Sequence, residues 1–381
     1  MKSGFKIHRF FLKFLLVLVI VFVIGVCVFI GLQISGKKRL YGKSESKRPD
    51  LASAVLSWNE EDSTEDNSGA SENGNTEKKP VNVIVEEDSD NWEEGDVRYN
   101  GVHYRYNSEM LTFLFMGVDK DGSVKTAKNG MDGGQSDAIF LLALNPKTKE
   151  ASLINVHRDT ITEIDVYDKA GNYVQTLKSQ ITLQHAYGDG KELSCQRSVK
   201  AVSNLFYGLP IHGYCAINMA AIPKLNDAIG GVEVVVQEDI TDSDTGKLVF
   251  KAGQKVKLRG KNATLYLRAR DCNEFGSAGK RSERQKQYIF AYANTALDAI
   301  KKDVTTMVNL YNTISKYMVT DITVDEVSYF STQAADYRFG EKSIYSLEGE
   351  TVMGVNYEEF HVNDRALFEL VLKVFYETVD D

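Results

Sequence analysis

Cysteine is too scarce in this chain to build a disulfide framework. Of its four cysteines, Cys27 lies in an apolar N-terminal run, which leaves Cys195, Cys215 and Cys272 without an even count or metal-type spacing. They read as small buried apolar residues, with one disulfide among the three left open. Net positive charge is lacking too. A formal charge of −8 over 381 residues excludes the broad basic surface that non-specific nucleic-acid binding needs. It leaves room for a focused arginine pocket within an acidic surface. The six histidines form neither a Ser–His–Asp arrangement nor a metal-binding pair, and His185 taken alone reads as a structural imidazole. No internal repeat is present.

What the chain does have is patterned. Residues 14–34 carry no charge, and as a helix they span roughly 30 Å, the thickness of a hydrocarbon core. That run is longer than a signal-peptide core and no small-residue cleavage pattern follows it, so an uncleaved anchor is expected. Lys2, Lys6, Arg9 and Lys13 precede it, whereas Lys37, Lys38, Arg39 and Lys43 follow it, so flanking charge nearly balances the two orientations. The expected layout is a cytoplasmic tail at 1–13, a transmembrane anchor at 14–34, a disordered acidic linker at 35–96 and one folded domain at 97–381. A short apolar stretch at 81–85 is expected to dock on the domain as a strand.

Within the domain, residues 111–118, 138–144 and 151–156 are continuous apolar runs that read as buried strands. The last two are joined by Asn145-Pro146-Lys147-Thr148, a turn sequence, and so form an antiparallel hairpin. Helical patterns occupy 193–206, 219–229, 262–267, 282–301, 304–317, 324–337 and 364–376, with a β-branched strand at 232–236. Helices mixed with buried strands predict a three-layer α/β/α domain on a mixed central sheet, preceded by one transmembrane helix.

That hairpin has a chemical consequence. Asp119 ends the first strand, Asp137 opens the second, and Arg158-Asp159 closes the third, so all four converge at one sheet edge. Singly, each is an ordinary turn residue or surface ion pair. A second cluster follows. Arg268 and Arg270 lie on one side of the chain if the segment is extended, and Arg281, Arg284 and Gln285 share one face of a helix that opens near Ser282. On pattern alone this second cluster could be a solvated basic face. Gathered with two carboxylates, the arginines would suit a pyrophosphate held by guanidinium forks, with Mg²⁺ on the aspartates.

The ordered series Gly117-x-Asp119, Ser136-Asp137, Arg158-Asp159-Thr160, His185-Ala186-Tyr187-Gly188, Gly230-Gly231-Val232, Gly260-Lys261-Asn262-Ala263, Tyr266-Leu267-Arg268-Ala269-Arg270 and Arg281-x-x-Arg284-Gln285 resembles the LytR–CpsA–Psr family. The resemblance runs over about 111–297, and the N-terminal span with its long linker matches that family's layout. It implies an extracytoplasmic phosphotransferase of cell-wall assembly, anchored in the membrane by a single pass. Such an enzyme moves a glycopolymer, teichoic acid or capsule, from a polyprenyl-pyrophosphate carrier to peptidoglycan. It implies Asp119 and Asp137 as Mg²⁺ ligands, Arg158, Arg268, Arg270 and Arg281 as catalytic and pyrophosphate-holding residues, and Arg284 and Gln285 as further substrate contacts. A lipid tunnel between sheet and helices is implied likewise. The match has gaps. Gln135, His157 and Gln180 stand where many relatives carry Arg, Pro and Lys, and no acid closely precedes Arg281, so the general base is unassigned. Two other readings remain: a pyrophosphatase acting on the same lipid, and a non-catalytic lipid- or glycan-binding regulator.

Overall fold

The computed structural model describes residues 30–43, 47–52, 55, 83–85, 90–242, 245–269, 277–303, 305–333 and 336–380. Most of the anchor span 14–34 lies outside these residues, as do Arg270 and Cys272; among the described residues no helix is long and apolar enough to cross a membrane.

The strands are β1 (Val83–Ile84), β2 (Val97–Tyr99), β3 (Val102–Tyr106), β4 (Leu111–Val118), β5 (Ser136–Asn145), β6 (Glu150–Val156), β7 (Ile161–Tyr167), β8 (Tyr173–Gln180), β9 (Gly213–Asn218) and β10 (Val232–Val235). After them come β11 (Ile240–Thr241), β12 (Leu248–Phe250), β13 (Lys255–Leu258), β14 (Met318–Thr320), β15 (Ile344–Ser346), β16 (Gly349–Met353), β17 (Glu358–Val362) and β18 (Tyr376–Thr378). Helices are α1 (Leu183–Ala186), α2 (Glu192–Leu205), α3 (Ile222–Ala228), α4 (Lys261–Arg268), α5 (Ser277–Lys302), α6 (Thr305–Ile314), α7 (Val324–Gln333) and α8 (Asp364–Phe375).

The central sheet runs β14-β9-β4-β5-β6-β15 and is mixed, as expected. β4 pairs antiparallel with β5 and parallel with β9, while β6 pairs antiparallel with β5 and parallel with β15. β4 is apolar throughout because both its faces are covered. Leu114, Met116 and Val118 enter one core with Val202 of α2, the Phe206 that follows it, and Phe368 of α8. Leu111 and Phe113 enter another with Leu40 and with Tyr329 of α7. A third core joins α4 and α5 to β10, β12 and β13 through Val232, Phe250, Tyr266 and Tyr288. Gly230 and Gly231, both at positive φ (83° and 89°), end α3 and turn the chain into β10.

The stretch 35–96 is not a free tether where it is described. Residues 30–42 are helical, Leu40 is fully buried, and Lys43 Nζ lies 3.0 Å from the buried Glu326 carboxylate at the start of α7. Apolar residues spaced for one helix face outweigh the local charge there, because a buried carboxylate and an apolar cluster receive them. At the other end of the stretch, β1 adds to a small sheet with β2, β3 and the C-terminal β18.

Candidate functional site

The site forms at the C-terminal end of β4, where a β-bulge decides how one carboxylate points. Gly117 pairs with Ala138 but Val118 pairs with Ser136, so Asp137 is left out of the ladder. Beside it the Asp119 N–H donates to Gln135 O at 2.9 Å, keeping the two aspartates on adjacent strand ends.

Arg158, in the turn after β6, spends its whole fork here. Its Nη1 donates to Asp137 Oδ1, its Nη2 to Gln135 Oε1 at 2.6 Å, and its Nε to Asp159 Oδ1 at 3.1 Å. Asp159 is itself held by Gln180, whose Nε2 donates to Asp159 Oδ1 and to Glu358 O, both at 2.8 Å. Arg281 approaches from α5, with Nη1 3.9 Å from Asp137 Oδ2, an ion pair longer than a hydrogen bond. Two guanidinium groups therefore bracket one carboxylate. Arg268, on the last turn of α4, donates from Nη2 to Asp119 Oδ1 at 2.7 Å. A shallow cleft opens among Asp137, His157, Arg158, Arg281, Ser282 and Gln285.

Several expectations change. Arg268 ends a helix instead of sitting in an extended segment, because α4 continues through it. The helix opens at Ser277, not near Ser282, so Arg281 lies more than a turn inside α5 and the free N–H groups of the helix start are not beside it. Arg284 does not join the cleft. Its Nε donates to Tyr266 O at 3.1 Å, its Nη2 to Ala269 O and its Nη1 to Glu238 Oε1, so it is a buried clamp on the C-terminal carbonyls of α4. Gln285 reaches the carbonyl of Leu267 at 3.4 Å and lines the cleft as well. These two residues hold the helix end that presents Arg268. Glu238 and Gln135 are partners that pattern reading missed. Gln135 was visible as the residue just before Ser136-Asp137, whereas Glu238 lies in a loop with no motif around it.

His185 is buried, with Nδ1 2.9 Å from Gly134 O, and burial lowers its pKa. It belongs to the structure, as its isolation suggested. Cys195 and Cys215 are free and buried, and burial pushes both thiols up. Among the described residues no group of three or more His, Cys, Asp or Glu gathers as a metal cage. Two carboxylates on adjacent strand ends still fit Mg²⁺, which takes one or two protein carboxylates and completes its shell with phosphate oxygens and water.

What fold and site define together is an α/β protein with an arginine–carboxylate cluster at the end of a mixed sheet. The chain belongs to the LytR_cpsA_psr family, whose sequence profile matches residues 63–373. It is 31% identical over 258 residues to the Enterococcus faecalis polyisoprenyl-teichoic acid–peptidoglycan teichoic acid transferase TagU, covering 66% of this chain and 75% of that protein. The Oceanobacillus iheyensis protein of the same name is 29% identical, over 65% of this chain and 71% of its own length. In fold the chain is similar to a Streptococcus agalactiae protein, with a TM-score of 0.56 at 20% identity, covering 72% of this chain and 91% of that one. It is also similar to B. subtilis TagV, with a TM-score of 0.52 at 24% identity, covering 69% and 94%.

Proposed function

We propose that this chain is a phosphotransferase that moves a glycopolymer, of the teichoic-acid type its relatives are named for, from a polyprenyl-pyrophosphate carrier to peptidoglycan. The observation that carries it is the pairing of Arg158 and Arg281 on Asp137, with Arg268 on Asp119 beside them. Three arginines face three carboxylates, counting Asp159, so the described site is balanced in charge. A pyrophosphate diester carries two negative charges, and with one Mg²⁺ it adds none. Such a pair can enter without leaving a buried charge unmatched, which would be costly.

In this reading Asp119 and Asp137 would hold Mg²⁺, which would supply charge neutralisation. Arg158 and Arg281 exchange their carboxylate partners for phosphate oxygens, and Arg268 does the same from α4. Arg270 belongs to the same motif and is assigned with them. Asp159, fixed by Gln180, keeps the Arg158 fork aimed. The acceptor hydroxyl oxygen bonds to the glycan-linked phosphorus while the bond to the bridging oxygen breaks, and the hydroxyl proton passes to the departing phosphate or to water. Polyprenyl phosphate leaves, and arginines neutralise its growing charge.

The sequence pattern at 14–34 supports a single membrane anchor, and the cell-wall reading puts the domain outside the cytoplasm, where peptidoglycan lies. The test is transfer of a polyprenyl-pyrophosphate-linked glycan to a peptidoglycan oligosaccharide by the purified chain. Label should reach the acceptor, chelation of Mg²⁺ should stop it, and Asp137→Ala should stop it in protein that still folds. Transfer unchanged by chelator removes the metal. Phosphate release without acceptor labelling favours a pyrophosphatase.

A further inference from the structure

His157 lines the cleft between Val156 and Arg158, and no role has been assigned to it so far. The residue is 9% exposed, and its ring stacks on Phe360 with centroids 4.9 Å apart and planes 30° from parallel. The stack is tied to the site by the Phe360 N–H, which donates to Asp159 O at 2.9 Å. The ring therefore has little freedom to turn.

Its two nitrogens are in different situations. Nδ1 accepts the backbone N–H of Asp159 at 3.3 Å, so Nδ1 carries a lone pair toward that bond. The Asp159 carboxylate is 4.0 Å from Nδ1, outside hydrogen-bond reach, and does not compete for it. In the neutral ring the proton must then sit on Nε2. Nε2 is buried and has no hydrogen-bond partner among the described residues. A buried donor without an acceptor is an expensive feature to keep; His157 and His212 share it, and of the two His157 is the one that lines the cleft.

We propose that His157 is a substrate-contacting residue whose Nε2–H donates to a phosphate oxygen of the pyrophosphate held by Arg158 and Arg281. The inference rests on the function proposed above and adds a neutral donor to the charged ones. Burial is the main cause that lowers the pKa of this imidazole; Arg281 and Arg158 act in the same direction, and Asp159 and Glu358 oppose them. The ring thus stays uncharged beside two guanidinium groups. An uncharged donor can approach the same phosphate without adding cation–cation repulsion.

The probe is a short polyprenyl diphosphate titrated with Mg²⁺ into the full-length chain in detergent, read by calorimetry and by ¹⁵N–¹H resonances of the histidine rings. The wild type should bind, and the Nε2–H signal of His157 should shift on binding. His157→Phe keeps a ring on Phe360 but has no donor, and should bind about ten-fold more weakly, whereas His157→Gln should recover part of the loss. Wild-type affinity in His157→Phe, or a ring N–H signal that does not move, overturns the proposal. If His157→Phe fails to fold, the wild-type resonance decides alone. A wild type that ignores the diphosphate overturns the pyrophosphate reading itself and this inference with it.

Discussion

The two ends of strand β4 use the same charged chemistry for opposite purposes. At its C-terminal end, Arg158 and Arg281 converge on Asp137 around a small cleft, and His157 Nε2 is buried without a hydrogen-bond partner among the described residues. At its N-terminal end, Lys43 and Arg39 of the leading helical segment meet Glu326 and Asp325 of α7, over a core of Leu40, Leu111 and Phe113. Eight residues of strand separate them, roughly 25 Å. At the first end the pairs line a small cleft, and in the proposed function they exchange partners with a phosphate. At the second, the Glu326 carboxylate is fully covered and also accepts the Thr323 N–H at 2.7 Å, so the pairing serves to hold the segment down.

The largest effect that could break this comparison is at the cleft. Arg158→Ala removes charge-assisted contacts of about 1.5–3 kcal/mol each. It should lower transfer about a hundred-fold or more in protein that still folds, beyond the stability lost with its contacts to Asp137, Asp159 and Gln135. A variant that melts far lower and transfers normally once folded would make Arg158 a fastening residue like Lys43.

The next test is pH, read at the fastening end. His212 is buried, its Nδ1 accepts the Thr112 N–H at 3.0 Å, and burial, helped by Lys43, pulls the ring down to about 4 from its ordinary 6.5. Between those values the unfolded chain binds a proton that the folded one refuses, so stability falls as pH drops through the window. The full loss is roughly 3 kcal/mol from this ring. His157 and His185 are lowered as well and act in the same direction. Melting curves at pH 7 and pH 5 should show the loss, and His212→Asn should flatten part of it. An unchanged slope in that variant would contradict the assignment.

Glu326→Ala should cost about 1–3 kcal/mol of stability by freeing Lys43 and the Thr323 N–H, with transfer by the folded protein nearly intact. Limited proteolysis between 36 and 50 would report the released segment, and an activity loss equal to that of Arg158→Ala would erase the distinction between the two ends. The smallest effect serves as a baseline. Arg365 and Glu369 on α8 pair at 3.3 Å with both side chains about half exposed, so Arg365→Ala should shift stability by no more than about 0.5 kcal/mol.

The candidate site was legible in part, for a specific reason. The apolar runs at 111–118, 138–144 and 151–156 and the Asn145-Pro146 turn define a local hairpin, and a hairpin dictates which strand ends share an edge. Asp119, Asp137, Arg158 and Asp159 could thus be brought together on paper. The arginines further along could not be sorted that way. Arg281 and Arg284 lie one turn apart on the same helix, and only the packing of α5 against α4 sends one to the cleft and the other to the carbonyls of Tyr266 and Ala269. The β7–β8 hairpin was missed because β8 is largely exposed and carries no buried apolar face to mark it.

By itself the sequence determined what depends on near neighbours along the chain: the apolar strands and their turn, the mixed α/β class, the carboxylate-bearing strand ends and the family pattern. Tertiary structure alone decided the bulge that re-aims Asp137, the division of labour between Arg281 and Arg284, the pairing of β18 with β3, and the docking of residues 30–43 on α7. Each of these sets residues far apart in sequence against one another. Their energies come from who is buried beside whom, and local pattern carries no record of that choice.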